Sequence, residues 1–202
     1  MDRVSQVASL SVGTASRLYP GESVNGDAWF VDWHADVCRI AVIDGLGHGP
    51  QAAVAATAAR TALERAPGLA PAEALRACHA ALGGTRGAAI SIVTIDPLAH
   101  LLKFSGVGNV DGYLIQQGDV QRLVSYRGIV GAALPDPRTF SFDLVDAWLL
   151  VLHTDGLRRL GSDVLLALHV PPQECAEHLL ATAARETDDA TVVVVGPAPD
   201  PE

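Results

Sequence analysis

The stretch VIDGLGHG, residues 42–49, closes a hydrophobic run with one carboxylate and three glycines. The residues before it, CRIAV from Cys38, are typical of a buried β-strand. Asp44 therefore stands at the end of a core strand, with very little side chain around it. An alanine-rich segment follows from Pro50, and proline suits the first turn of a helix. The stretch thus predicts a strand, an acidic turn and a helix in close succession.

The overall composition is typical of one folded domain. The chain has 202 residues, 49% of them hydrophobic, which is enough for a large core. We expect a single domain over residues 1–196 and a frayed tail over residues 197–202, since GPAPDPE from Gly196 is typical of a chain end. No signal peptide is expected, and no run approaches the roughly 20 apolar residues of a membrane span.

Charge and cysteine content argue against several functions. The net charge is −9 and Lys103 is the only lysine, which argues against nucleic-acid binding. The three cysteines, Cys38, Cys78 and Cys175, are odd in number and far apart, so neither a disulfide framework nor a zinc site is predicted. This usage favours a reducing compartment. We therefore expect a cytoplasmic protein with neither a nucleic-acid nor a membrane partner.

Periodicity and turn residues predict an α+β domain. Strands come in runs that a few helices interrupt, which favours largely antiparallel sheets. Helices are predicted at 50–66, 71–82 and 171–186. Strands are predicted at 4–12, 28–33, 38–43, 88–96, 100–108, 112–117, 119–124, 140–145, 148–154 and 190–196.

Aspartates recur where apolar strands begin or end. Two such positions follow strands and two precede them: Asp44, Asp155, Asp27 and the pair Asp188–Asp189. In an antiparallel sheet the end of one strand lies beside the start of its neighbour. We therefore expect these carboxylates to meet at one edge of the sheet.

Such a cluster suits hard divalent metal ions. Converging carboxylates repel one another unless a cation lies among them. Oxygen ligands without a thiolate or paired histidines favour Mg²⁺ or Mn²⁺. Gly45 is expected to take an unusual φ and to bring its carbonyl close to an ion, and the same argument applies to Gly156. Two ions that share a carboxylate would lie about 3.5–4 Å apart.

Two simpler interpretations of the same residues stand beside this one. Asp-Gly after a strand is a common turn signal, so each aspartate taken alone could be a turn residue. The glycines of residues 42–49 could form a phosphate loop, but their spacing does not match GxGxxG, and GK[ST] does not occur. The joint pattern of the acidic positions is what favours a metal site.

Four motifs together resemble the metal-dependent type-2C (PPM) serine/threonine protein phosphatases. They are NGDAWF, VIDGLGHG, LHTDGL and DDATVVV, and the resemblance spans residues 5–195. The bacterial branch related to the sporulation phosphatase SpoIIE is the most similar. Within that branch, a short chain that contains the sequence DGLGHG resembles the feedback phosphatases of the bacterial stressosome. The resemblance implies a four-layer α-β-β-α sandwich with two central antiparallel sheets and a dinuclear metal centre at one end.

The resemblance also implies a role for each matched position. Asp44 matches the ligand that bridges two Mn²⁺ or Mg²⁺ ions, and Gly45 matches the glycine whose carbonyl binds one of them. Asp155 and Asp188 match ligands of the second ion. Asp27 matches the acidic position before the second strand. Asp44 and Asp27 are thus expected to be catalytic, and hydrolysis is expected to proceed without a covalent phosphoenzyme.

The chain departs from the family pattern at two places. Leu46 occupies the position at which many members have a histidine proposed as general acid, so His48 is the catalytic candidate here. No arginine stands just before Asp27, where some members bind the substrate phosphate, and Arg17 is a possible substitute. His153 is expected to be a core histidine. Protonation of the leaving group is then assigned to His48 or to a water.

The resemblance implies hydrolysis of phosphoserine or phosphothreonine on a bacterial regulatory protein, in a stress-response or sigma-factor module. STAS-domain proteins of a stressosome are the expected partners, and a monomer is expected rather than a dimer. Residues 48–53 and 126–139 are candidate recognition surfaces, the second as an irregular loop beside the site. Two other functions stay open: a catalytically weak binding module of the same fold, and a metal phosphoesterase acting on small phosphate esters.

Overall fold

The computed structural model describes residues 10–198, which form ten strands and four helices. The helices are α1 (Gly49–Glu64), α2 (Pro71–Ala81), α3 (Ser162–Leu166) and α4 (Pro172–Ala183). The strands are β1 (Leu10–Arg17), β2 (Asp27–His34), β3 (Val37–Gly45), β4 (Ala88–Asp96), β5 (Leu101–Val107), β6 (Asp111–Gln116), β7 (Asp119–Leu123), β8 (Phe140–Asp143), β9 (Trp148–His153) and β10 (Ala190–Pro197).

The strands form two five-stranded sheets. Sheet I has the order β1-β10-β9-β6-β7, and sheet II has the order β2-β3-β4-β5-β8. Every ladder within the two sheets is antiparallel. Helices α1 and α2 cover the outer face of sheet II, and α4 covers the outer face of sheet I. The predicted four-layer α-β-β-α sandwich is confirmed.

The central strands are buried on both faces, which explains their unbroken apolar sequence. In β3, Ile40 and Val42 belong to the core between the sheets, whereas Ala41 and Ile43 pack towards α1 and α2. In β10, the valines alternate in the same way between the inter-sheet core and the core under α4. A strand covered on both sides needs no polar face. The side-chain alternation is therefore present in the packing without being visible in the sequence.

Helix α1 packs on sheet II through small side chains. Its buried face consists of Ala52, Ala55, Ala56, Ala59 and Leu63, with Gly49 at its first turn. Alanines let the helix backbone approach the sheet closely while retaining high helix propensity. This close packing places the N-terminus of α1 directly after the turn that carries Asp44.

Most predicted elements coincide with observed ones, and the differences lie at the ends. The strand predicted at 4–12 is observed as β1 from Leu10, and residues 4–9 lie outside the described part of the chain. Pro197, the first residue of the tail predicted at 197–202, pairs with Leu10 at the end of the β1–β10 ladder. Helix α3 was not predicted. Among residues 10–198, no helix has the length and apolar character needed to cross a membrane.

Candidate metal centre

Sheet II contributes two carboxylates that face each other across a ladder. Asp27 is the first residue of β2, and its Cα partner in β3 is Asp44. Two like charges at directly opposite positions destabilise an antiparallel pair. Asp27 is 9% exposed, so water screens this repulsion poorly. The structure therefore carries an unfavourable pair at the open end of the β2–β3 hairpin.

Sheet I contributes the other carboxylates. Asp155 follows β9, and Asp188 and Asp189 precede β10, its antiparallel neighbour. The sequence predicted that all these positions meet at one edge of a single sheet, and in this detail it was wrong. Each sheet brings its own acidic strand ends to the same end of the sandwich, and the carboxylates converge between the sheets.

Two threonines connect the acidic ends of the two sheets. The hydroxyl of Thr154 donates to Oδ2 of Asp27 at 2.7 Å, and the backbone N–H of Thr191 donates to Oγ1 of Thr154 at 3.0 Å. Thr154 and Thr191 are both completely buried. Neither threonine was predicted from the sequence, although Thr154 directly precedes Asp155 and Thr191 lies two residues after Asp189, each at one end of an otherwise apolar run. That placement of a buried polar residue is the signal that could have identified them.

The pKa values show that five aspartates share one neighbourhood. Burial, followed in order by the charges of Asp27, Asp155, Asp188 and Asp189, raises the pKa of Asp44 to about 9. Burial also raises the pKa of Asp27 to about 7, with a smaller contribution from Asp189, while the hydrogen bond from Thr154 opposes the increase. These carboxylates act on one another because they lie close together.

The donor set fits a hard divalent cation. None of the ion pairs formed within residues 10–198 involves these five aspartates, so their charges have no protein counter-charge. Carboxylate oxygens are the ligands that Mg²⁺ and Mn²⁺ prefer. Over the same residues, no three acidic, histidine or cysteine side chains already stand at ligand spacing. Hydrogen bonds hold the oxygens instead: Asn109 donates to Asp155 at 2.5 Å.

Asp188 and Asp189 have different surroundings, although they are neighbours in the sequence. Asp189 is 2% exposed, and its two oxygens accept the backbone N–H groups of Tyr19 and Gly26 at 2.8 and 3.0 Å. It therefore fixes the β1–β2 loop. Asp188 is only partly buried, and its pKa is raised by burial and then by Asp155. Of the two, Asp188 is the carboxylate that remains available to a ligand.

Gly45 is required by packing and not by an unusual backbone conformation. A Cβ on Gly45 would lie 2.3 Å from the carbonyl oxygen of Ala52 and 2.8 Å from that of Gly26. Its φ is not in the left-handed region, so the predicted unusual φ was wrong. Gly156 is similarly crowded, by the carbonyl of Asp189, and its own carbonyl accepts the N–H of Arg185 at 2.7 Å. The carbonyl suggested as a second metal-facing group is therefore already engaged.

His48 lies at the margin of the cluster. It is the N-cap residue of α1, and its Nδ1 hydrogen-bonds Oε1 of Glu22 at 2.7 Å. Its ring stacks on Tyr19, with 4.3 Å between ring centroids. The charge of His48 acts on the pKa of Asp188, which places the imidazole within electrostatic reach of the carboxylates. Glu22 and Tyr19 thus orient a ring that stays half exposed.

Two other residues singled out in the sequence are engaged elsewhere. Arg17 donates to the backbone carbonyl of Arg185, so its guanidinium is part of the packing between β1 and the segment before β10. His153 is 1% exposed, its Nδ1 hydrogen-bonds the carbonyl of Thr154, and burial lowers its pKa. The expectation of a core histidine is confirmed, and Arg17 does not serve as a free phosphate-binding group.

Solved structures with the same fold define the class. A chain described under "The bacterial stressosome: a modular system that has been adapted to control secondary messenger signaling" is 28% identical, with a TM-score of 0.86 over 93% of this chain and 99% of that chain. RsbX in complex with magnesium is 22% identical, with a TM-score of 0.85 over 94% and 96%. The PP2C phosphatase domain of SpoIIE from Bacillus subtilis is 24% identical, with a TM-score of 0.78 over 93% and 63%. The fold is that of the PP2C-type phosphatases.

The family follows from the sequence match. The family model for Stage II sporulation protein E (SpoIIE) matches residues 34–197, so the chain belongs to the SpoIIE family. Asp44, Asp155 and Asp188 lie inside the match, and Asp27 lies before it. The predicted resemblance to this branch and to RsbX is confirmed, as is the class of enzyme, a PP2C-type serine/threonine phosphatase. No curated protein sequence matches the chain at a comparable level of significance.

Proposed function

We propose that the converging aspartates form the active site of a phosphatase that depends on two Mn²⁺ or Mg²⁺ ions and removes phosphate from serine or threonine. The observation that supports this most is the like-charged pair Asp27–Asp44, opposite each other in a ladder and without a protein counter-charge. A protein retains such a pair where a cation binds, because the repulsion otherwise only destabilises the fold.

The proposed ligands come from four strand ends. Asp44 would be shared by both ions, the carbonyl of Gly45 would bind one of them, and Asp155 and Asp188 would bind the second. Asp27 would complete the site from the first strand of sheet II. When bound, such ions supply a water that is acidic enough to be a nucleophile at neutral pH and stabilise charge on the phosphoryl oxygens.

Neighbouring residues hold these ligands in place. The hydroxyl of Thr154 donates to Asp27, which fixes that carboxylate and favours its ionised form. Asp189 secures the loop from Tyr19 to Gly26, which runs directly into Asp27. The raised pKa of Asp44 means that it releases a proton when a cation binds. Metal affinity should therefore increase with pH through the neutral range.

His48 is the proposed proton donor to the leaving serine or threonine oxygen. Glu22 occupies its Nδ1, so Nε2 is the nitrogen that can hold the transferable proton. We expect His48→Gln to lower kcat by about 100-fold, at the lower end of the range for general acid catalysis. The measurement is the pH profile of kcat, whose alkaline limb should move in this variant. An unchanged kcat and profile would leave protonation to water.

The proposed substrate is a phosphorylated regulatory protein of a bacterial stress-response or sigma-factor module. Among the similar structures are a stressosome chain and the RsbU and RsbW domains of Rv1364c from Mycobacterium tuberculosis. STAS-domain proteins phosphorylated on serine or threonine are the partners that we infer from these similarities. The buried free thiols of Cys38, Cys78 and Cys175 fit the inferred cytoplasmic location.

The test uses p-nitrophenyl phosphate and a phosphoserine peptide with the protein loaded with Mn²⁺. We expect hydrolysis of both, complete loss in EDTA, and recovery when Mn²⁺ is restored. Asp44→Ala should reduce kcat/KM by about 10³-fold or more, equivalent to roughly 4 kcal/mol of transition-state stabilisation.

The matched control is Asp36→Ala, at the exposed turn at the other end of the same hairpin. It should retain full activity. Activity that survives EDTA would contradict the metal mechanism. Hydrolysis of small esters or nucleotides without hydrolysis of the phosphopeptide would contradict the proposed substrate class.

A further inference from the structure

Arg86 is a free arginine beside the turn that carries the proposed metal ligands. One of its terminal nitrogens, Nη1, lies 2.8 Å from the position that a Cβ on Gly47 would occupy. The side chain is exposed, and it is absent from the ion pairs and hydrogen bonds that residues 10–198 form. A guanidinium without a partner is therefore held next to the DGLGHG turn.

The loop that carries Arg86 is rigidly built. The backbone N–H of Gly87 donates to the hydroxyl of Thr85, and that hydroxyl donates to the carbonyl of Leu82. The carbonyl of Gly87 accepts the N–H of Leu46, which ties the loop to the metal-binding turn at 3.0 Å. Gly87 has a φ of +84°, a conformation that favours glycine. The position of Arg86 relative to the site is thus determined by backbone contacts.

A groove begins at Arg86 and follows the first turns of α1. It has a volume of about 400 Å³ and is lined by Gln51 and Val54 from α1 and by Gly84, Thr85 and Arg86 from the loop. Val54 is 59% exposed, which is unusual for a valine in a helix that packs on a sheet. The groove therefore combines one exposed apolar side chain and several polar groups with one cation, beside the turn that carries the proposed ligands.

Arg86 lies outside the cluster itself. Gly47, beside which Arg86 lies, is three residues beyond Asp44, so the Cα atoms of these two residues are at most roughly 11 Å apart. The charges that act on the pKa of Asp188 are those of Asp155, Asp189 and His48. Arg86 is exposed and is not among these charges or those that act on Asp44, so it lies at the margin of the cluster, where the side chains that flank a phosphorylated residue would pass.

We propose that Arg86 determines substrate specificity by binding an acidic side chain one or two residues from the phosphoserine or phosphothreonine, while that segment of the substrate lies along the groove. The proposal rests on the phosphatase function proposed above. Arginine pairs with a carboxylate through two parallel hydrogen bonds, a geometry that selects acidic side chains. The net charge of −9 would otherwise repel an acidic segment, so a local cation is what allows it to bind.

The experiment compares three phosphoserine peptides of equal length, with Asp, Ala or Lys at the positions that flank the phosphoserine. Wild-type protein with Mn²⁺ should hydrolyse the Asp peptide with a kcat/KM about three- to tenfold above that of the Ala peptide. Arg86→Ala should bring this ratio close to one, and Arg86→Glu should reverse the preference towards the Lys peptide. The wild-type preference should shrink at high salt, because ionic screening weakens exposed charge pairs.

Arg65→Ala is the matched control. Arg65 is an exposed arginine at the C-terminal end of α1, at the opposite end of the helix from the groove, and its removal should leave the ratio unchanged. Three results would overturn the inference: no wild-type preference, a preference that survives in Arg86→Ala, or an equal loss for all three peptides in that variant. The last would mean that Arg86 contacts the phosphoryl group.

Failure of the inference is separable from failure of the proposed function. If wild-type protein hydrolyses the Ala peptide only when Mn²⁺ is present, the phosphatase function holds. It holds even if the protein shows no preference for Asp over Ala or Lys beside the phosphoserine. If it hydrolyses none of the peptides, the proposed function is wrong and the specificity role is wrong with it.

Discussion

The β2–β3 hairpin contains two cross-strand pairs of opposite character. Near its turn, Asp32 lies opposite Arg39, and at its other end Asp27 lies opposite Asp44. The same two strands therefore hold one pair of opposite charges and one pair of like charges. The Asp32–Arg39 pair stabilises the fold, whereas the fold alone gives no reason for the Asp27–Asp44 pair.

The Asp32–Arg39 pair is fully satisfied. Arg39 donates from Nε and Nη2 to the two oxygens of Asp32 at 2.9 and 2.7 Å. Its remaining donors reach the carbonyls of Leu63 and Ala66 at the end of α1, and its guanidinium lies over the ring of Phe30. Arg39 is 3% exposed. Every polar group that is buried here has a partner within the chain.

The Asp27–Asp44 pair has hydrogen-bond partners for Asp27 but no opposite charge. Burial and then the charge of Asp27 raise the pKa of Asp44, whereas in the other pair the positive charge of Arg39 balances the negative charge of Asp32. A buried charge that the protein leaves uncompensated indicates where an external ion binds. The contrast lies in the partner and not in the residue type, since both pairs contain aspartate on β2.

The largest expected effect on stability comes from breaking the satisfied pair. Asp32→Ala leaves the buried guanidinium of Arg39 without its carboxylate, and we expect the free energy of unfolding to fall by about 3 kcal/mol. Urea unfolding measures this loss, with Asp36→Ala as the control. The Mn²⁺-dependent activity of the folded fraction should remain. Loss of activity in protein that is still folded would place Asp32 in the site and break the comparison.

The second effect is stabilisation by metal at the other pair. Mn²⁺ at 100 times its dissociation constant should add about 2.7 kcal/mol to the free energy of unfolding, and so raise Tm by roughly 5–10 °C. Asp44→Asn should abolish the shift, whereas Asp36→Ala should retain it. Thermal unfolding with and without Mn²⁺ provides the measurement. An equal shift in Asp44→Asn would place the ion elsewhere.

The smallest effect concerns the metal-free protein. At pH 8 in EDTA the folded protein must hold a proton on Asp44 that the unfolded chain releases, so we expect Asp44→Asn, which needs no proton, to increase the free energy of unfolding by about 1–2 kcal/mol. Asp32→Asn, the same change in the satisfied pair, should have the opposite sign. Denaturant unfolding in EDTA compares the two variants directly. Destabilisation by both would mean that the two pairs are equivalent.

The same pair sets the pH dependence of the metal-free protein. Asp44 has a pKa of about 9 in the folded protein, above its ordinary value of 3.8, so the folded state binds the proton more tightly than the unfolded state. The contribution of Asp44 to stability is present at low pH and is lost as the pH rises from about 4 through 9. In EDTA, the slope of unfolding free energy between pH 5.5 and 8 should be shallower in Asp44→Asn than in wild type.

Much of the fold could be predicted from the sequence. Strand β4 was predicted with both ends correct, at Ala88 and Asp96, because its apolar run is bounded by glycine and proline. The division into two sheets could not be obtained from periodicity, since β3 and β10 are apolar on both faces and show no preferred side. Helix α3, of five residues, is too short to carry a periodic pattern.

The site could be predicted in part. Strand ends located Asp44 and Asp155, because a carboxylate after an apolar run stands out in the sequence. The different roles of Asp188 and Asp189 could not be separated, since they depend on hydrogen bonds from residues about 170 positions away. Arg86 was missed for a similar reason. It is close to Gly47 only through the pairing of β3 with β4, and its own surroundings in the sequence are those of an ordinary loop.

The position of β10 within sheet I bears on when the enzyme becomes active during synthesis. This strand is inserted between β1 and β9, and the residues just before it supply Asp188 and Asp189. A nascent chain that stops short of residue 188 lacks an inner strand and part of the ligand set at once. Contacts across such long sequence separations form late in folding. Catalytic competence should therefore appear abruptly once β10 has been synthesised and inserted, with no partly active precursor that could dephosphorylate its target early.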